Sequence, residues 1–309
     1  MQQIWHWGVE LIIAVQSIHN PALDFFFNAI TSLGSEEFYV VLLPILYWCV
    51  DKSATQRLAY LFLLSTYGNE VIKNLLRQPR PFQYDSKVLK LDRMPAQQLG
   101  YGFPSLHSQS AVTVWGYLAL VVRCRWMWIL STLLMIFIPF SRIYLGVHFP
   151  TDVLGGLVLG VIWLGLFWWF ESRLTAWLSG QTFSVQLGLA TVIPTMLLLV
   201  HSSDEAVAVL GTILGLGIGI VFESRWVRFR PDGLAWARVG RLVLGAVVLI
   251  ALREGLKIVF PVQGEALYIP LRAARYALVG LWVALGAPWL FVQLGLAAAG
   301  ASDELFREM

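Results

Sequence analysis

The chain has 309 residues, 58% of them hydrophobic and 13% charged, and its 22 Lys and Arg against 19 Asp and Glu give a net charge of +3 and a mean hydropathy of +0.68. Soluble domains carry about 25% charged residues, so this composition excludes an ordinary soluble globule. The apolar runs approach the ~20 residues that cross a bilayer as helix and lack the short alternating segments of a membrane β-barrel.

Residues 1–35 contain no Lys or Arg. The run Ile4–Ile18 is short, carries Glu10 and opens with Trp5, His6 and Trp7, which predicts a helix lying in the membrane interface. A positive n-region and a small-residue cleavage site are both missing, so the segment does not read as a secretory signal. A second short helix is expected after Pro21. Spans are then predicted near 37–50, 54–77, 104–123, 126–145 and 152–173, followed by 183–201, 205–222, 238–260 and 268–298. Pro104 and Ser105 mark the start of the third, and Pro288 lies inside the last. The fold class expected is therefore all-α, a polytopic transmembrane bundle of about eight or nine spans. Its expected division is N-terminal interfacial helices at 1–35, a six-helix-type core at 36–180 and C-terminal transmembrane helices at 181–309.

Basic residues mark the cytoplasmic connections. Lys52 and Arg57, then Arg123 and Arg125, then Arg173, then Arg225, Arg228, Arg230, Arg238 and Arg241 fall on one side. The N-terminal 51 residues and the connections around Ser202–Glu205 and Pro261–Glu265 fall on the other. The polar segment from Pro79 to Phe103 also falls outside, although it carries Lys87, Lys90 and Arg93, and loops of that length are commonly functional. Cys49 and Cys124 adjoin helix ends on the cytoplasmic side. A disulfide is not expected there, and two thiols make no metal site.

Three polar segments converge on the outer face. Lys73-x6-Arg80-Pro81 ends the second span. Pro104-Ser105-Leu106-His107 begins the third. Ser141-Arg142-x5-His148-x3-Asp152 joins the fourth to the fifth. Together these segments resemble the signature of the type-2 phosphatidic acid phosphatase superfamily, which includes membrane lipid phosphate phosphatases, glucose-6-phosphatase-like enzymes, soluble acid phosphatases and vanadium haloperoxidases. The resemblance covers residues 36–175, about half the chain. One departure is Leu106, where the family has Gly. The backbone N–H there still reaches a phosphate, and the side chain narrows the site.

The resemblance implies a metal-independent phosphatase working through a phosphohistidine, without cofactor. Lys73, Arg80 and Arg142 clamp phosphoryl oxygens, the arginines through bidentate geometry. Ser105 and the start of the third helix add neutral donors. His148 attacks phosphorus, and Asp152 fixes its tautomer and stabilises the imidazolium. His107 protonates the leaving oxygen and then activates water.

Arg253, Glu254, Lys257, Arg272 and Arg275 are charges near the ends of predicted spans, where each is costly without a partner. Arg253, Lys257, Arg272 and Arg275 are candidate headgroup contacts, with structural pairing as the other reading. The expected partner is a membrane lipid substrate, namely an isoprenyl diphosphate, a glycerophospholipid phosphate or a sphingoid phosphate. No nucleic acid and no obligate protein partner are implied. The economical loops fit a bacterial inner membrane with the site facing the periplasm. Phosphotransfer to another acceptor would use the same residues. A lipid transporter or flippase would have no use for paired His107 and His148, and survival of transport in His148→Ala would favour it.

Overall fold

The computed structural model describes residues 2–95, 99–260 and 267–300. Apart from one isolated antiparallel bridge between Phe229 and Ala299, these residues form helices, turns and loops. The fold is all-α. The connection around Pro261–Glu265, expected outside the membrane, lies outside the described residues, as do residues 96–98 of the long polar segment.

The order is α1 (Gln2–Gln16), α2 (Pro21–Ser32), α3 (Glu36–Cys49), α4 (Lys52–Leu76), a single turn α5 (Pro81–Tyr84), α6 (Leu106–Ser110), a π-helical turn at Ala111–Trp115 and α7 (Gly116–Val122). It continues with α8 (Arg125–Tyr144), α9 (Pro150–Ser179), α10 (Phe183–Val200), α11 (Asp204–Phe222), a π-helical turn at Glu223–Val227, α12 (Ala235–Val259) and α13 (Tyr268–Leu281). A third π-helical turn at Trp282–Gly286 leads into α14 (Ala287–Gln293). Pro288 has no N–H to give to the preceding turn, and the predicted last span changes its winding just before it.

Among the described residues, six helices are long and apolar enough to cross a membrane, and the pair α2 and α3, bent by 49°, would make a seventh. The chain is an integral membrane protein. Two of the expected spans, 54–77 and 104–123, are helical but fall outside that set. The first, α4, is long but rich in Ser, Thr, Gln, Asn and charged side chains. The second is divided by its π turn into α6 and α7. It also starts later than Pro104, because Ser105 is the N-cap, its hydroxyl accepting from Ser108 N.

The chain forms two compact units. One contains residues Met1–Val40 and Leu64–Ser172, the other Val41–Leu63 and Arg173–Met309. In the first, α1 and α2 pack on α8. Val9, Ile12, Val88 and Phe149 form one apolar cluster, and Phe27, Leu99, Tyr144, Leu145 and Val147 another. Fully burying such a side chain from water contributes about 1.5–3 kcal/mol. The polar segment after α5 is seated on this layer. Gln16 Nε2 donates to Leu89 O (2.7 Å) and Tyr144 O (3.0 Å), while Gln16 Oε1 accepts from Leu89 N (3.0 Å). Gly146, at φ +71°, lets the backbone approach so closely that a Cβ there would stand 2.2 Å from Leu89 O. The long polar segment is therefore held against the helices at Leu89 and Leu91.

In the second unit α11 packs chiefly against α13 and α10. Its contact with α13 runs along small residues. A Cβ on Gly215 would stand 1.8 Å from Ala277 O, one on Gly211 2.5 Å from Ala273 O, and one on Gly280 2.4 Å from Thr212 O. Small residues are what bring helices together where lipid removes the hydrophobic drive between them. A side chain at these positions must push the helices apart, and overpacking of this kind costs about 1–3 kcal/mol. Gly215→Val is accordingly expected to lower the thermal unfolding midpoint in detergent by several degrees, whereas Gly188→Ala, whose Cβ would meet nothing within 4 Å, should not lower it.

Candidate active site

Three helix ends of the first unit build the site. The N–H of Ser105, at the start of α6, donates to Asp152 O in the first turn of α9 (3.0 Å). Gly156 keeps the two chains close, since a Cβ there would stand 2.3 Å from Ser105 O. The end of α4 is fixed to α6 by Gln109, whose Oε1 accepts from Asn69 Nδ2 (2.9 Å) and whose Nε2 donates to Ser65 O (2.7 Å). Gly102 N donates to Gln78 O (2.8 Å), closing the polar segment on itself. Gly102 also needs its missing side chain, because a Cβ would lie 2.8 Å from Pro79 O and 3.1 Å from Asp152 Oδ2.

His148 sits in the loop between α8 and α9 and is 2% exposed. Its Nδ1 lies 3.3 Å from Asp152 Oδ2, which also accepts from Phe149 N (2.9 Å). A carboxylate oxygen accepts, so the ring proton belongs on Nδ1 and the lone pair on Nε2. Arg80 Nη1 donates to that Nε2 at 3.1 Å. The i,i+4 spacing at the start of α9 is what brings the carboxylate to the ring.

Arg80 is 3% exposed. Besides Nε2 it donates to Val147 O (2.8 Å), Gly100 O (2.7 Å) and Tyr101 O (3.2 Å). Four of its five N–H groups are thus spent on His148, the neighbouring Val147 carbonyl and two carbonyls of the polar segment. Burial, and after it the charge of Arg142, draw Arg80 down to about 10, so it stays charged at neutral pH. Burial also holds His148 well below the usual imidazole range, helped by Arg80, Arg142, Lys73 and His107 in that order. The sequence-predicted residues Lys73, Arg80, His107, Arg142, His148 and Asp152 therefore share one electrostatic environment.

Ser105 is fully buried, and its Oγ accepts from Ser108 Oγ (3.0 Å), leaving its own O–H proton to be donated. His107 stands in the first turn of α6 beside the turn after α2, where a Cβ on Gly34 would come 3.3 Å from its ring. Arg142, in the last turn of α8, donates through Nη1 to Thr31 Oγ1 (2.6 Å) and Asp92 Oδ2 (2.8 Å). Sequence reasoning missed Thr31 and the pairing of Asp92. No local pattern links them to Arg142, which lies 111 and 50 residues away.

Other charges of the chain have partners within the protein. Lys90 Nζ donates to Asp92 O (2.7 Å) and to Met94 O, and Arg93 lies over the Phe25 ring at 5.6 Å. Arg253, Lys257, Arg272 and Arg275 belong to the second unit. Lys257 Nζ and Arg253 Nε lie 2.8 Å and 3.7 Å from Glu254. Arg272 donates to Asp204 O and Tyr268 Oη, each at 3.0 Å. Arg275 lies 4.9 Å over the Tyr276 ring.

The site is thus a buried histidine with a carboxylate on one ring nitrogen, a guanidinium on the other and further cations in its surroundings. Residues 54–176, which contain every one of these groups, match the PAP2 superfamily, and residues 207–299 match the PAP2 superfamily phosphatase transmembrane extension. The chain belongs to the PAP2 superfamily. This PAP2 chain is 26% identical over 300 residues to lipid phosphate phosphatase delta of Arabidopsis thaliana, covering 87% of the chain and 71% of that protein. It is 32% identical over 166 residues to a probable sphingosine-1-phosphate phosphatase of Dictyostelium discoideum, covering 50% of the chain and 40% of that protein. A crystal structure of a transmembrane PAP2 type phosphatidylglycerolphosphate phosphatase from Bacillus subtilis is similar with a TM-score of 0.47 and 24% identity, over 56% of this chain and 88% of that one.

The charge on Arg80 favours neutral His148, so removing it must raise the pKa of the ring. In histidine-labelled protein, His148 is expected to titrate below the ordinary 6.5 by NMR, and Arg80→Gln should move that titration upward. An unmoved titration would show that Arg80 does not act on the ring.

Proposed function

We propose that this PAP2 chain is a lipid phosphate or diphosphate phosphatase that forms a phosphohistidine on His148 at a site facing away from the cytoplasm. The observation that carries the reading is the pair of contacts on one imidazole, Asp152 Oδ2 on Nδ1 and Arg80 Nη1 on Nε2. The first makes Nε2 a nucleophile. The second puts a cation where the phosphoryl oxygens of an incoming substrate would be.

The steps follow from these groups. A phosphate monoester brings negative charge into a pocket of buried cations, which favours binding and spreads to the equatorial oxygens in the transition state. The phosphate displaces Arg80 Nη1 from Nε2, and Arg80 stays within reach through its bonds to Gly100, Tyr101 and Val147. Nε2 forms the bond to phosphorus while the bond to the lipid oxygen breaks. Asp152 stabilises the cationic ring. His107 gives its proton to the leaving oxygen, then takes one from the water that attacks the phosphohistidine and releases phosphate. Ser105, Lys73 and Arg142 hold the non-bridging oxygens throughout.

Three features support the substrate class and side. The chain is an integral membrane protein, two of its relatives are named for lipid or sphingoid phosphates, and its densest run of arginines, Arg225–Arg241, marks the opposite side by the distribution of basic residues in the sequence. Sphingoid, glycerol-based and isoprenyl phosphates all present the same phosphoryl chemistry to His148.

The test is phosphate release from a panel of these three lipid classes in detergent micelles containing EDTA. Release is expected with EDTA present, lost in His148→Ala and reduced by about 10²–10⁴-fold in His107→Ala. A reaction of His107→Ala quenched in alkaline denaturant, where a phosphohistidine survives, should retain labelled phosphate on the protein, and brief acid treatment should release it. Release that survives His148→Ala would sink the nucleophile, and a strict need for added divalent metal would sink the metal-free reading.

A further inference from the structure

Arg142 is held on one edge only. Both of its described hydrogen bonds leave from Nη1, to Thr31 Oγ1 (2.6 Å) and to Asp92 Oδ2 (2.8 Å). Its Nε is buried and finds no acceptor among the described residues. The side chains of Arg142 and Asp92 are 3% and 7% exposed, which keeps this pair out of bulk solvent. A buried charged donor without an acceptor is costly, and here it belongs to the same cation cluster as the nucleophile.

Asp92 is itself braced. Its Oδ1 accepts from Met94 N (2.7 Å), and its carbonyl accepts from Lys90 Nζ (2.7 Å). The neighbouring Leu91 N donates to Leu145 O (3.1 Å), and Leu91 O accepts from Asn28 Nδ2 (3.1 Å). Two roles are conceivable for a carboxylate in this place. It could stand where the phosphate goes and be displaced by it, or it could fix the guanidinium from behind. Bracing on both sides of Asp92, and the sharing of one nitrogen with Thr31, favour the second.

We propose that Asp92 and Thr31 are positioning residues for phosphate recognition: they anchor Nη1 of Arg142 so that its Nε edge is presented, already desolvated, to a phosphoryl oxygen. This rests on the reading that Arg142 contacts substrate phosphate. Fixing a planar donor before the ligand arrives reduces the ordering cost of binding, and the second carboxylate keeps three clustered cations from repelling one another.

The experiment measures inorganic phosphate in two ways, as a competitive inhibitor of lipid phosphate hydrolysis and as a ligand that protects against thermal unfolding. The second readout needs no turnover. Asp92→Asn keeps the shape and removes the charge, Thr31→Ala removes the hydroxyl, and Thr31→Ser restores it. Asp92→Asn and Thr31→Ala are expected to weaken phosphate binding by about tenfold, with Thr31→Ser close to the parent, and Asp92→Asn should have no further effect in an Arg142→Gln background. Tighter phosphate binding in Asp92→Asn would overturn the proposal in favour of displacement. An Asp92→Asn effect undiminished in Arg142→Gln would overturn it too, because Asp92 would then act on the loop alone. If the binding pattern holds while no lipid phosphate is hydrolysed, the positioning role stands and the phosphatase reading fails.

Discussion

Everything in the first unit converges on keeping one imidazole ring neutral and aimed. Asp152 and Arg80 hold His148 by opposite nitrogens, and neither could do so alone. A carboxylate without the cation would favour a protonated ring, and a cation without the carboxylate would leave the tautomer unset. The surrounding bonds serve this pair. Ser105 N on Asp152 O ties α6 to α9, and the backbone carbonyls of Gly100, Tyr101 and Val147 wrap Arg80. The short loops are rigid because they spend their carbonyls on a guanidinium.

Such a cluster of like charges is expensive to bury, since each ion loses its hydration and the cations repel. The chain meets that cost by distributing acceptors from distant segments. Asp92 comes from the polar segment, Thr31 from the end of α2, and Asp152 from α9. The N-terminal helices are therefore more than an interfacial anchor. They carry one of the acceptors for Arg142 and, through Gln16 and Asn28, the seat of the segment that carries the other.

The helices and the motif residues were legible in the sequence because both are local. Apolar runs announce helices, and an i,i+4 pair such as His148 and Asp152 declares its own geometry. The resemblance to a known signature supplied the rest of the set. What was not legible depends on long-range pairing. Nothing near Asp92 says that it is buried against Arg142, so the segment around it read only as a long polar connection outside the membrane. The π turn at Ala111–Trp115 has no marker in composition, so α6 and α7 read as one span. The polarity of α4 was visible in the sequence but was outweighed by its length.

Gln16 carries a consequence for how the protein is made. Its partners Leu89 and Tyr144 lie 73 and 128 residues further along the chain. Domains form from the N-terminus forward as the chain is synthesised, yet α1 cannot complete the bonds of this amide until the end of α8 has emerged. The first helix must wait for its last partner through the insertion of several later ones. The catalytic layer is thus closed late by the segment that was made first, and a ribosome stalled before Tyr144 would hold a chain in which the site has no floor.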